Sequence, residues 1–443
     1  MALGGGTFTS MNKKLIGSYI NVVSRLRANA TLSDRGVAAV PMSLNYAPEG
    51  VFKVTSGDLQ KNSRAIFGCE YTADELKPVR DVFKNANTVY FYNVLSGGAA
   101  ATNTYATAKN KGTNGNNLKI RIDAVVDNEN SFDVVTLLGN IVVDTQRVAK
   151  TESTTTDNGL KDNDFVTFKK TAPITATVAA TSLTGGTNGA TADYQTALDL
   201  FEGYSFNTLA CTANDNTTKG LFVAYTKRMR DEVGVKFQTV VHDYAGADYE
   251  GIISVKNHVK GKITSDADYN ALVYWVTGAA AGCAVNRSNT NRLYDGEYEV
   301  DTDYTQSELA SFLDGGYFVL HTVGDDVRVL VDCNTLLTYT EDKGELFNDN
   351  QTIRVVDQVA NDIATIFNTK YIGMIQNTAT GRALFKSDIV SHHMELQNKN
   401  AIEGFTADAV TVTAGNKKGE VIVEDNITVV GTMTTLYMTV YVS

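Results

Sequence analysis

The sequence predicts a multidomain α+β chain. It has an α/β core, an inserted all-β sandwich or barrel, a C-terminal α+β domain and an extended arm at each end. Three observations carry this. From Asp193 onward, helical and strand patterns alternate, as in a layer with a partly parallel sheet. Between Ser96 and Gly189, strands follow one another closely, separated by Gly, Thr and Asn, with no convincing helix. Residues 436–442 (LYMTVYV) alternate strictly, with Leu436, Met438, Val440 and Val442 on one side and Tyr437, Thr439 and Tyr441 on the other.

Residues 1–24 do not open a folded domain. Gly4–Gly6 is flexible, and Phe8 and the stretch Tyr19-Ile20-Asn21-Val22 are short β-like pieces. Residues 36–46 read as a buried strand and 51–55 as the next, with APEG turning between them. Ser56 or Asp58 is placed to cap a helix through Ile66. Thr72 with Glu75 reads as a capping box for another, whose stripe is Leu76, Val79 and Phe83. TVYFYNVL at 88–95 is a core strand. The insert then carries strands at 117–126, 131–139, 140–148, 164–170 and 174–183.

Helices are expected at 193–202 and 217–232. The second turns Leu221, Ala224, Tyr225 and Met229 inward and leaves Lys227, Arg228 and Arg230 near its C-terminus, where cations suit the helix dipole. Strands fall at 206–211, 235–242 and 251–255. A helix rich in small residues spans 266–285, and residues 317–333 form a hairpin over GDD. Residues 348–370 give the clearest helix, with Ile353, Val356, Val359, Ile363 and Ile366 at helical spacing. A link at 371–387, a helix at 388–401 and strands at 408–413, 420–430 and 432–442 finish the chain. The last strand either closes its own sheet or pairs with another subunit by β-augmentation.

At 443 residues the chain is long enough for two to four domains. A net charge of −11 argues against a nucleic-acid surface, which needs clustered Lys and Arg. Cys69, Cys211, Cys283 and Cys333 lie far apart with no CxxC, so buried free thiols are expected and not a zinc or redox motif. The N-terminus lacks the apolar run of a signal peptide, and no run approaches the ~20 residues of a membrane span.

No catalytic set assembles. His242-Asp243 has no GxSxG elbow to serve, so His242 reads as a surface or turn histidine. His392 and His393 are adjacent on a helix, about 100° apart, and do not easily share a metal. The acidic row Asp295, Glu297, Glu299, Asp301 and Asp303 reads as a strand edge facing solvent or a subunit. HExxH, GxxxxGK[ST] and GxGxxG are absent, and neither cofactor nor metal is expected.

Four stretches resemble contractile tail sheath proteins, most closely those of prophage-like particles, R-type bacteriocins and myophages of Gram-positive bacteria. They are GGGTFTSMNKKLIGSYINVVSR, ATLSDRGVAAVPMSLNYAPEG, VYWVTGAAAGCAVNRSNTNRLYDGEYEV and the terminal LYMTVYV. Ile16 stands where the family pattern has Pro before Gly17. The resemblance implies a non-enzymatic subunit of hexameric rings, stacked helically around a tail tube and contracting to drive the tube through a cell envelope. It implies a subtilisin-like fold in the α/β core, without protease activity. It also implies partners in the tube, baseplate and tail terminator, with neither nucleic acid nor membrane insertion. Assembly is expected in the bacterial host cytoplasm, followed by residence in a virion or bacteriocin tail.

The domains expected on this reading are an N-terminal arm (1–24), the first part of the α/β body (25–95), the β insert (96–186), the α/β domain (187–343), a C-terminal assembly domain (344–431) and an arm strand (432–443). Inter-subunit contacts are expected from Phe8, Tyr19, Ile20, Val22, Leu436, Tyr437, Met438, Val440, Tyr441 and Val442. The polar face of the long helix (Arg354, Gln358, Asn361, Asp362 and Thr365) is either solvated or the surface that touches the tube. A surface-array or adhesin protein, or a cytosolic hydrolase, are the alternatives.

Overall fold

The computed structural model describes residues 32–126, 128–260 and 269–442. The N-terminal contact residues Phe8, Tyr19, Ile20 and Val22 lie outside them. The described residues divide into two compact units, one within 34–361 with 429–442 and one of 32–33 with 362–428.

The larger unit is built on a seven-stranded sheet. Its order is Tyr317–Phe318, Ile252–Val255, Gln238–His242, Thr208–Ala210, Val37–Met42, Thr88–Asn93 and Val51–Thr55. Neighbouring strands run parallel except the last pair, which is antiparallel. Successive residues of a strand point to opposite faces, and both faces here are covered. Ala38, Val40, Val240, Ile253 and Val255 enter one core with Trp275 and Leu272. Ala39, Leu209, Val241 and Ile252 enter the other with Phe201 and Phe222. Burial on both faces explains why strands such as Val37–Met42 and Ile252–Val255 read as largely apolar runs.

Two helix starts differ from expectation. The helix Ser56–Phe67 is capped by Thr55, the last residue of the preceding strand. Thr55 Oγ1 accepts from the Asp58 N–H, and the Asp58 carboxylate accepts from the Thr55 N–H. Thr72 caps nothing. A 3₁₀ turn at Asp74–Leu76 comes first, and the α-helix Lys77–Phe83 starts with Pro78 in its first turn, where a missing N–H costs little. Glu75 instead accepts from the side-chain amides of Asn45 and Asn114.

The helix Asn216–Lys227 runs on into a π turn at Arg228–Val233, ended by Gly234 with φ of 91°. Ala224 is exposed, contrary to its expected inward position. Arg230 does not sit at a solvated helix end either. It is buried and donates twice to Asp357, at 2.6 and 2.8 Å.

The small residues of helix Leu272–Gly282 permit close approach to the segment around Lys77–Phe83. A Cβ on Gly278 would lie 2.2 Å from the Val82 carbonyl oxygen, and one on Gly282 would lie 2.0 Å from that of Asn85. Both neighbours are backbone and cannot swing aside. Gly278→Ala is therefore expected to cost at least about 1–3 kcal/mol through overpacking. Chemical denaturation with an unchanged midpoint would refute this.

Between residues 96 and 191 the chain leaves the sheet and forms its own core. Val178–Ser182, Leu118–Val125, Asn128–Leu138 and Ile141–Ala149 make an antiparallel sheet in that order. Ala106–Ala108 pairs with Val166–Phe168. Leu118, Ile120, Ile122, Val134, Val166 and Phe168 are buried together, while alternate residues such as Arg121 and Asp123 pair outside.

In the smaller unit, the end of helix Asn350–Lys370 is followed by helix Ala379–Asn398 and the hairpin Val410–Ala414/Val421–Asp425. The second helix starts well before the expected 388. Thr378 caps it by accepting from the Gly381 N–H. Among the described residues each hairpin strand pairs only with the other.

Candidate functional site

Alternation at 436–442 has a consequence in the folded chain. No strand pairing is found among the described residues of 431–442. Leu436 is 81% exposed, Met438 72%, Val440 69% and Val442 92%, and Tyr437 and Tyr441 stand in solvent as well. An apolar side chain left in water forgoes about 1.5–3 kcal/mol relative to full burial. Four of them on one side of a segment make a surface suited to being covered.

The hairpin of the smaller unit presents complementary features. Its two strands have no further partner among the described residues, so ladder donors and acceptors remain on their outer edges. Within the same unit lies a cavity of about 420 Å³ lined by Phe367, Tyr371, Ile375, Phe385 and Val421, among others.

The polar stripe of the long helix is not a solvent face. Arg354 is 1% exposed, and its Nη2 donates to Asp332 Oδ2 at 2.7 Å and to the Arg287 carbonyl at 2.9 Å. Asp332 is equally buried. Burial pushes its carboxyl up, but Arg354, the Asn289 N–H and the Asn350 amide together hold it below the usual carboxylate range. Gln358 is buried. Asn361 grips the backbone of Lys236 both ways, accepting its N–H at 3.0 Å and donating to its carbonyl at 2.7 Å. Asp362 accepts from the Ser33 N–H and from His392. Of the five, only Thr365 is exposed. Helical spacing groups these residues on one face, but it does not say that the face is wet. Here buried polar partners cover it.

Histidine placement also departs from expectation. His392 and His393 are fully buried, with their Nδ1 atoms converging to 3.1 Å. His392 Nε2 lies 3.0 Å from Asp362 Oδ2, and His393 Nε2 lies 2.7 Å from Asp425 Oδ2. The chain Asp362–His392–His393–Asp425 ties helix, helix and hairpin of the smaller unit together. A helix angle of about 100° between neighbours does not prevent convergence, because the side-chain torsions turn the rings together.

His242 is buried too, not at the surface. Burial, helped by nearby Lys219, pushes its pKa down to about 4, so it is neutral. Asp243 is held by Lys256 at 2.9 Å. The acidic row at 295–303 is a loop, and most of its carboxylates are engaged within the chain. Asp295 accepts from Trp275 at 2.7 Å, Glu297 accepts twice from Arg80, and Asp301 and Asp303 pair with His258 and Lys260. The cysteines are free, three of them buried. Among the described residues no group of three or more His, Cys, Asp or Glu side chains could hold a metal, and no helix is long and apolar enough to cross a membrane.

A mixed α/β body, a β-sandwich insert and an apolar terminal segment left uncovered define a multidomain α+β protein. The comparisons with known proteins name the kind. Family models described as the phage tail sheath β-sandwich, central and C-terminal domains match residues 96–191, 186–335 and 342–443. The chain is 32% identical over 439 residues to the phage-like element PBSX protein XkdK of Bacillus subtilis strain 168, with 92% of each chain covered. It superimposes on the sheath tail protein from Desulfitobacterium hafniense with a TM-score of 0.77 and 32% identity, over 95% of this chain and 99% of that one. It shares its fold with the helical sheath of the anti-feeding prophage in the contracted state, at 13% identity and a TM-score of 0.57, over 97% and 99% of the two chains. The chain belongs to the phage tail sheath family, as a structural subunit of a contractile sheath.

Proposed function

We propose that this subunit forms hexameric rings, stacked helically around a tail tube, and that the stack contracts to drive the tube through a cell envelope. The observation that carries this is the terminal segment 432–442, whose alternating apolar side chains stand uncovered. The open edges of hairpin 410–414/421–425 offer a neighbour's arm a place to add as a strand, and the apolar cavity beside Phe385 can take its side chains. The N-terminal residues Phe8, Tyr19, Ile20 and Val22 serve the same joined sheet. The parallel body is a subtilisin-like fold without protease activity, and the role is structural. Tube, baseplate and tail terminator are the other partners. Assembly takes place in the host cytoplasm, and the finished sheath resides in a virion or bacteriocin tail. Negative-stain microscopy of the purified protein tests this: rings or tubes are expected, and a monodisperse monomer under all polymerising conditions would refute it.

The six-part division into arm (1–24), split body (25–95 and 187–343), insert (96–186), assembly domain (344–431) and arm strand (432–443) gives a second test. The insert has its own core around Ile120 and Phe168. Replacing residues 97–186 with a short Gly/Ser linker is expected to leave tube formation intact. A deletion that is well folded by circular dichroism yet never polymerises would count against this division.

A further inference from the structure

The root of the C-terminal arm is held by the side chain of Gln351. Gln351, the second residue of helix Asn350–Lys370, is 2% exposed. Its Nε2 donates to the Val430 carbonyl at 2.8 Å, and its Oε1 accepts from the Thr432 N–H at 3.2 Å. These two backbone groups flank Gly431, and a residue in a parallel strand bonds its neighbour in the same pattern, to the carbonyl on one side and the N–H on the other. The Gln351 amide thus stands in for one residue of a parallel strand. Among side chains, only Asn and Gln carry donor and acceptor in one planar group of this kind.

The preceding residue faces the opposite way. Asn350 is fully buried. Its Nδ2 donates to Asp332 Oδ1 at 2.9 Å and to the Cys333 carbonyl at 2.8 Å, and its Oδ1 accepts from Gln238 Nε2 at 2.7 Å. Gln238 begins a strand inside the seven-stranded sheet. Two successive amides therefore connect the arm root to the sheet through the first turn of one helix. Beyond Thr432 the described residues are all exposed, Met433 fully.

We propose that Gln351 is the positioning residue of the C-terminal arm. It fixes the point from which the arm leaves the body and passes load from the arm through Asn350 into the sheet. The inference rests on the reading of the arm as a tether. It sets where the arm begins to swing: the bonds to Val430 and Thr432 hold the chain on both sides of Gly431, and swinging starts at Met433.

The test uses the full-length unassembled chain and reads amide hydrogen exchange at Thr432 and in strand 238–242. Gln351→Met fills the space with neither donor nor acceptor. Gln351→Glu keeps the acceptor but sets a carboxylate oxygen against the Val430 carbonyl. Both are expected to speed exchange at Thr432 roughly tenfold, the scale of one lost hydrogen bond, with strand 238–242 unchanged. Equal exchange at Thr432 in all three proteins overturns the clamp. Equal acceleration at Thr432 and in strand 238–242 overturns it as well, since Gln351 is then a general core residue. The two ideas fail separately. A chain lacking 432–443 that still forms tubes removes the tether while an accelerated Thr432 would keep the clamp, and the reverse pair of results removes only the clamp.

Discussion

A chain ending at Gly431 is expected to stay folded and soluble but to form no tubes under conditions where the full-length protein does. Residues 436–442 span about 24 Å at ~3.4 Å per residue, enough to cross a neighbouring sheet edge. Each inter-subunit backbone hydrogen bond contributes a net ~0.5–1.5 kcal/mol. Leu436, Met438, Val440 and Val442 add ~1.5–3 kcal/mol each if fully covered. Ordering the arm opposes this at ~1–2 kcal/mol per residue, so the surplus per contact is modest and gains its weight by repetition through a lattice. Among the described residues the deleted segment makes no strand pairing, and removing it takes the Thr432 N–H from Gln351 while leaving the apolar cores untouched. Val440→Pro is expected to act nearly as strongly, because it removes a donor and stiffens the backbone without altering the rest of the chain. Sedimentation measures both. Normal tubes from the truncated chain would return the segment to a passive role.

How much of this was legible in the sequence depends on what kind of information a residue carries. The strands at 37–42 and 252–255 announce themselves because both their faces are dry and mostly apolar, whereas 238–242 is carried by Val240 and Val241, with Gln238, Thr239 and His242 buried as polar residues. The insert was legible from its turn residues and close strand spacing. Helix 350–370 was legible from its spacing, but the meaning of its polar stripe was not. Periodicity locates a face and is silent on what covers it, so Arg354, Gln358 and Asp362 look like solvated residues until their buried partners are in view. Those partners are distant in sequence: Asp332 for Arg354 and His392 for Asp362. Caps failed for a local reason. Thr55, Ser56 and Asp58 all suit a helix start, and the choice falls to where the preceding strand ends. The arm is the opposite case. Its alternation was plain, while among the described residues no strand pairs with it.

Breaking the Arg354–Asp332 pair is expected to unfold the larger unit more readily than any surface change, and to do so without regard to a tube. Both side chains are fully buried, and Asp332 also accepts from the Asn289 N–H at 2.8 Å and the Asn350 amide at 2.9 Å. Arg354 has less company: among the described residues its Nε and Nη1 find no partner, so Asp332 is its main compensation. Removing one member of such a pair leaves a charge buried and unpaired, which costs about 3–5 kcal/mol. Arg354→Met is expected to lose that much in chemical denaturation, and Asp332→Asn a similar amount. The double variant should lose clearly less than the sum, because no charge is then left alone. The sign with pH follows from the lowered Asp332 carboxyl. Its contribution is present above the ordinary Asp range of about 3.9 and is lost as pH falls through the lower folded value. Arg354→Met should therefore flatten the acid limb of the stability curve as well as lower it. Arg354→Glu, which would test a tube contact if this residue faced solvent, sets two carboxylates together in the core and is expected to abolish folding before any tube is met. An unchanged denaturation midpoint for Arg354→Met would show that the pair contributes nothing.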